Sequence, residues 1–101
     1  MKYRNVKQVT KDGKFDSKLE HNHWHALKLR EFAGEITNLE RQVRLRLGVH
    51  YDNGREAVLV VDFAYREKGE QVYIDSKGFE TAVSKLKRAI LRGRGIEVKL
   101  V

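Results

Sequence analysis

The sequence predicts an α/β fold of the α+β kind: a mixed sheet of about four strands with two helices packed on it. Three observations predict it. Residues 41–51 alternate, Val43, Leu45 and Leu47 pointing one way and Gln42, Arg44 and Arg46 the other, as in a strand with one basic face. Val58-Leu59-Val60-Val61 is an unbroken aliphatic run, the pattern of a central strand buried on both faces. Over 81–92, Ala82, Val83, Leu86, Ala89 and Ile90 share one arc of a helical wheel, with Lys85, Arg88 and Arg92 opposite.

The elements follow in chain order. Residues 5–15 read as a short hairpin, with Val6 and Val9 ahead of an Asp12-Gly13 turn. A first helix is predicted over 17–33: Ser17-Lys18-Leu19-Glu20 has capping-box spacing, and Gly34 stands where a C′ glycine ends a helix. The basic-faced strand comes next. Asp52-Asn53-Gly54 turns the chain into the central strand, 57–65, and Lys68-Gly69 turns it into a partner strand over 71–77. The second helix closes at Gly93 and Gly95, and 96–101 is a final strand. The order is α-β-β-β-α-β behind the hairpin. With 101 residues, no repeat, no linker and no proline, the chain reads as one domain over 1–101.

Charged residues make up 35% and the hydrophobic set 41%, the balance of a soluble globular protein rather than a disordered one. No stretch reaches the roughly 18 apolar residues of a membrane span, and no basic n-region with an apolar core opens the chain. The lack of cysteine removes disulfides and thiolate metal sites, and a cytoplasmic location is the expectation. Lys and Arg number 21 against 14 Asp and Glu, a formal net charge of +7. That excess points to a polyanionic partner held through phosphate contacts and counterion release; a generally basic, solvated surface is the ordinary alternative.

Asp62 interrupts the aliphatic strand directly after Val61. A carboxylate there is costly unless it is paired, protonated or bound to a metal. On the partner strand Tyr73, Asp75 and Lys77 share a face, since side chains two apart point the same way. With a two-residue turn at Lys68-Gly69, Glu67 faces Glu70, and counting back sets Asp62 opposite Asp75. Directly opposed positions have Cβ atoms roughly 5 Å apart, where like charges repel. Lys77 relieves part of this and a bound divalent cation relieves more, hard oxygen ligands suiting Mg²⁺. The alternative is a salt bridge from Asp62 or Asp75 to Lys77 with no chemistry, and a bulge at Gly69 would slip the register by one.

These residues carry a resemblance. Asp62 within VVDFAY and Asp75-Ser76-Lys77 within YIDSKG are similar to the bipartite signature of the PD-(D/E)XK nuclease superfamily. The successive blocks FDSKLE, AGEITNLERQVR, VVDFAYRE, IDSKGFET and GIEVKLV resemble small phage-encoded nuclease-like proteins, over nearly the whole chain from Asp12 to the C-terminus. The resemblance implies a restriction-endonuclease-like core, whose α-β-β-β-α-β order agrees with the one read above. It implies Mg²⁺-dependent hydrolysis of DNA phosphodiesters, with Mn²⁺ as a substitute. Asp62 and Asp75 then hold the metal, with Glu20 and the carbonyl of Ile74 or Ser76 nearby, and Lys77 orients the attacking water. Gln42 matches a glutamine that recurs in the phage relatives. Lys85 and Lys87 fall where members place an extra polar group near the site. Two positions depart from the pattern, since the relatives usually carry glutamate at Asp75 and proline at Val43; neither removes a group the reaction needs.

Other residues have ordinary roles to weigh. Glu20 is also the last residue of the capping box. His21 and His25 have the spacing of a helix-face chelate but no third ligand, and are expected in solvent. His23, one turn beyond Glu20 in the apolar arc, is the histidine best placed to approach the site, though a partly buried packing residue is the expectation. Trp24 is expected in the core or in a dimer contact. Arg44 and Arg46 on the strand, with Lys85, Lys87, Arg88 and Arg92 on the second helix, are the candidate DNA contacts, each set otherwise a solvated face.

The expectation is a Mg²⁺-dependent endonuclease specific for branched DNA, such as a Holliday junction, serving phage recombination or DNA processing in a bacterial cytoplasm. So small a chain has little room for a sequence-reading domain. DNA shape is then the expected determinant, with a homodimer as the arrangement for cutting two strands. The rivals are a non-catalytic nucleic-acid-binding protein and a host-interaction protein that keep the fold, though a pure binder has no need of a repulsive acidic pair.

Overall fold

The computed structural model of the chain describes residues 8–10, 13–15, 18–76 and 81–101. The elements run β1 (Gln8–Thr10), β2 (Gly13–Phe15), α1 (Lys18–Phe32), β3 (Thr37–His50), β4 (Glu56–Glu67), β5 (Glu70–Asp75), α2 (Ala82–Gly93) and β6 (Val98–Leu100). β1 and β2 pair as an antiparallel hairpin with Thr10 opposite Gly13, so Gly13 opens a strand instead of sitting in the turn. Val6, Asp12 and Ser17 lie outside the described residues. The other strands form one sheet in the order β3-β4-β5-β6, antiparallel except for the parallel β5–β6 pair. This is the mixed α+β architecture and element order that periodicity predicts.

The turns that set the register are the ones the sequence signals. Lys68 and Gly69 have φ of 53° and 81°, the two positive angles of a type I′ hairpin, and Glu67 pairs with Glu70. In the β3–β4 connection Tyr51 donates its N–H to the Arg55 carbonyl at 2.8 Å, and the Asn53 side chain accepts from the Arg55 N–H at 2.9 Å. α1 ends in a Schellman motif at Gly34, the Glu35 N–H reaching the Arg30 carbonyl and the Gly34 N–H that of Glu31. α2 ends the same way at Gly95, and begins at Thr81, whose Oγ1 accepts from the Ser84 N–H at 3.0 Å. β3 starts at Thr37, earlier than its alternation suggests, because a register shift between Thr37 and Glu40 hides the period there.

β4 is the spine of the core. Ala57, Leu59, Val61, Phe63 and Tyr65 point one way and are all buried. Leu45, Leu47 and Leu91 pack with the first three; Leu27, Ile36 and Ile74 pack with the last two. Trp24 stacks on Phe63 at 5.9 Å between ring centroids, which makes it a core residue. The aliphatic run predicts burial on both faces of β4, but the opposite face is only partly covered. Val58 and Asp62 are half-buried and Val60 is 39% exposed; only Ala64 is fully covered. The cross-strand partners of Val60 and Val58 are Arg44 and Arg46, both exposed.

α2 also departs from its wheel. Val83 and Leu86 are 59% and 62% exposed, and Ala82 and Ala89 are exposed with them. Leu91 is the buried residue, Ile90 joins it in part, and Lys87 and Arg88 are half-buried. The helix is turned by two tertiary contacts. Lys87 Nζ donates to the Val58 carbonyl at 2.9 Å, and Leu91, one turn later, fills the space between Leu45, Leu47 and Leu59. Among the described residues no helix is long and apolar enough to cross a membrane.

Candidate active site

The described β4–β5 register runs from Glu67–Glu70 to Phe63–Ile74, and the next positions on the two strands are Asp62 and Asp75. They stand opposed, as the count from Lys68-Gly69 predicts, with no bulge at Gly69. Where the ladder ends, the carboxylates take over its hydrogen bonds. The Asp62 N–H donates to Asp75 Oδ1 at 3.2 Å, and the Ser76 N–H donates to Asp62 Oδ2 at 2.8 Å. Each aspartate thus holds the backbone of the other strand.

Burial pushes the Asp75 carboxyl up from its ordinary 3.8 to about 7, and the neighbouring Asp62 charge adds to the rise. Arg88, on α2, pulls the other way. A carboxyl with a raised folded pKa stabilises the fold relative to the unfolded chain only while protonated. Its contribution is therefore complete below the unfolded value and is lost as pH rises through about 7. Melting curves of wild type and Asp75→Asn in metal-free buffer, from about pH 4 to about pH 8, check the sign. The advantage of the asparagine variant should grow across that window and be smallest at its acid end.

Glu20 comes to the site from α1. It is 4% exposed, the one buried charged side chain among the described residues. Gln42 Nε2 donates to Glu20 Oε2 at 2.8 Å and to Asp62 Oδ1 at 3.3 Å, while Arg41 Nη2 lies 3.8 Å from Glu20 Oε2. The Gln42 backbone has φ of 52°, a left-handed angle that costs a residue with a Cβ about 1–3 kcal/mol. The strain is retained where the Gln42 amide joins two carboxylates. Glu20 is linked to the aspartates through Gln42, and among the described residues no three His, Cys, Asp or Glu side chains converge as a metal cluster.

The remaining sequence candidates divide. His23 is half-buried as expected and also reaches the site, its Nδ1 2.7 Å from Ser76 Oγ; His25 is exposed, whereas His21, expected in solvent, is half-buried. Lys77 lies outside the described residues. Arg88 is near enough to act on Asp75, but Lys85 and Arg92 are exposed. Arg44, Arg46 and Lys87 gather instead around an open hollow beside the β3–β4 turn, together with Tyr51 and Arg55. Sequence reading missed Arg41, Tyr51 and Arg55. For Arg41 a signal existed: it shares parity with Val43 and Leu45, and a cation on an apolar face asks for a buried partner.

A family model described as Protein of unknown function (DUF1064) matches residues 1–101. The chain belongs to that family. No curated protein and no solved structure matches it. Two carboxylates side by side, one raised by burial and by the charge of the other, form a hard oxygen donor set. Mg²⁺ takes such sets through one or two carboxylates, with waters completing its shell, so the residues present fit that ion.

Proposed function

We propose that this DUF1064 chain is a divalent-metal-dependent DNA endonuclease with Asp62 and Asp75 as its metal-holding pair. One observation carries the reading: Asp75 sits opposite Asp62 where the β4–β5 ladder ends, with its carboxyl pushed up to about 7. A like-charge pair of this kind is a liability to the fold until a cation shares it. The resemblance to the PD-(D/E)XK signature supports the same assignment.

When bound, Mg²⁺ or Mn²⁺ would supply Lewis acidity to a phosphate and lower the pKa of a water. The chain's own residues prepare that chemistry. The Ser76 N–H and the Gln42 amide fix the Asp62 oxygens, and the Asp62 N–H fixes one oxygen of Asp75. Glu20, held by Gln42, adds negative charge behind the pair. Arg88 places positive charge beside Asp75, where a phosphate would approach. Lys77, two residues after Asp75, is given the water-orienting role by its match to the signature. Branched DNA, a Holliday junction among its forms, is the proposed substrate, read by shape in phage recombination within a bacterial cytoplasm, with a homodimer for paired cuts.

A second reading has one observation in its favour. The reciprocal bonds from the Asp62 and Ser76 N–H groups to the two carboxylates give the pair a structural task that a non-catalytic DNA binder could keep. Purified protein on linear, nicked, flap and four-way-junction DNA separates the two. Cleavage in Mg²⁺ that stops in EDTA is the expected result. Binding to every substrate with cleavage of none would leave the binder ahead.

DNA affinity should also fall steeply with salt, because phosphate contacts release counterions. Arg44→Ala and Arg88→Ala should each flatten the logarithmic salt slope by about 0.9 if each residue meets one phosphate of a duplex. Arg46→Ala should do less. Its Nε and Nη2 both lie 2.7 Å from Glu56 Oε1, and the pairing holds the Glu56 carboxyl below its usual range. Anisotropy titrations across salt in EDTA read the slopes; no change in any variant would put the DNA surface elsewhere.

A further inference from the structure

We infer that the hollow beside the β3–β4 turn binds an unpaired nucleotide of a DNA strand, with Arg44 and Arg55 on its phosphate and the Tyr51 ring against its base. The hollow measures about 680 Å³, within the range of roughly 300–1,000 Å³ that small-molecule sites occupy. Four cations and one carboxylate line it, Arg44, Arg46, Arg55 and Lys87 against Glu56, so its wall is strongly positive.

These cations are not equivalent. Arg46 is neutralised by Glu56, and Lys87 is anchored through the Val58 carbonyl, which leaves two of its three N–H groups for an anion. Arg44 and Arg55 have no ion pair among the described residues. Tyr51 lies in the same hollow, 52% exposed, with its backbone fixed by the bond to the Arg55 carbonyl. An aromatic face set among free guanidinium groups is a stacking platform on a phosphate track. Inside a duplex both faces of a base are covered by neighbours, so the ring selects a base that has left the stack.

The position suits a strand that also reaches the carboxylates. Arg44 and Arg46 pair with Val60 and Val58, and these share the β4 face of Asp62. Val58 lies four residue steps before Asp62 on β4, about 13 Å, so a strand held in the hollow needs only a few nucleotides to reach the carboxylates. The inference goes beyond the cleavage proposal, and its test needs no turnover.

The test is fluorescence anisotropy in EDTA with a short labelled oligo(dT), and with a blunt duplex of equal length. Wild type should bind oligo(dT), and Tyr51→Ala should weaken that binding about tenfold or more, the scale of one lost base stack. Tyr51→Phe, which keeps the ring, should restore it. Tyr51→Ala should leave duplex binding within about twofold, since no duplex base reaches the ring. Arg55→Ala should flatten the oligo(dT) salt slope by about 0.7, an independent reading should the tyrosine variant fold poorly. Lys99→Ala, an exposed residue of β6, should change neither measurement. Equal losses on both DNAs, or no loss from Tyr51→Ala together with an unchanged slope in Arg55→Ala, would overturn the assignment. So would dTMP or inorganic phosphate binding as tightly as oligo(dT), which would make this a free-nucleotide or free-anion site.

Discussion

Asp75→Asn is expected to lower cleavage about a thousandfold or more while DNA binding survives, and to raise the metal-free melting temperature near neutral pH. The two effects come from one cause. Metal charge stabilises a phosphoryl transition state by several kcal/mol, and each ~1.4 kcal/mol is tenfold in rate. Asparagine withdraws a charge from the metal set yet keeps an oxygen to accept the Asp62 N–H, so the strand contact at 3.2 Å need not be lost. It also removes the desolvation and repulsion that hold the carboxyl near 7. Asp62→Asn should lose cleavage likewise. Single-turnover assays beside melts in EDTA give both numbers. A variant that still cuts at near wild-type rate would remove Asp75 from the site.

The largest expected loss of stability is at Phe63. Its side chain is fully buried, stacks on Trp24 and packs with Leu27, Ile36 and Ile74. Phe63→Ala should cost about 3–5 kcal/mol, through lost transfer energy and the cavity left behind. Domains hold only about 5–15 kcal/mol in total, so this is a large fraction. Phe63 also forms the last described β4–β5 pair, with Ile74, next to both aspartates. The site should loosen with the core, and Phe63→Leu should recover most of the loss. Urea unfolding should show a lower midpoint at an unchanged slope. A loss under about 1 kcal/mol would contradict the packing of α1 on β4 described above.

How far the chain could be read from its residues depends on what decides each feature. The Asp62–Asp75 pairing is legible because a local rule controls it: Lys68-Gly69 makes a two-residue turn, and every later position follows by counting. The Gly34 end of α1 is legible for the same reason. The orientation of α2 is not. Its wheel is strongly amphipathic, yet the apolar arc of Val83 and Leu86 lies in solvent because Lys87 and Leu91 are drawn to β4 and β3. No periodicity within α2 reports a carbonyl on another strand. The link through Gln42 is hidden similarly, since nothing in the sequence announces a glutamine with a left-handed backbone. The hollow is the clearest case: Arg44 and Lys87 are far apart in sequence and meet only when α2 is in place.

The central claim, that Asp62 and Asp75 together hold a hard divalent cation, is tested most directly by thermal melts of wild type and Asp75→Asn in EDTA, Mg²⁺ and Ca²⁺ at about pH 8. A ligand that binds only the folded state raises its stability by mass action, so the wild-type melting temperature should climb with Mg²⁺ concentration. Ca²⁺ should stabilise as well, although its looser coordination should not support cleavage. Below about pH 7 the shift should shrink, because the metal must displace the proton that Asp75 then carries. In Asp75→Asn the shift should be small at every concentration. Shifts of equal size in the two proteins would contradict the claim, since the metal would then be bound away from this pair.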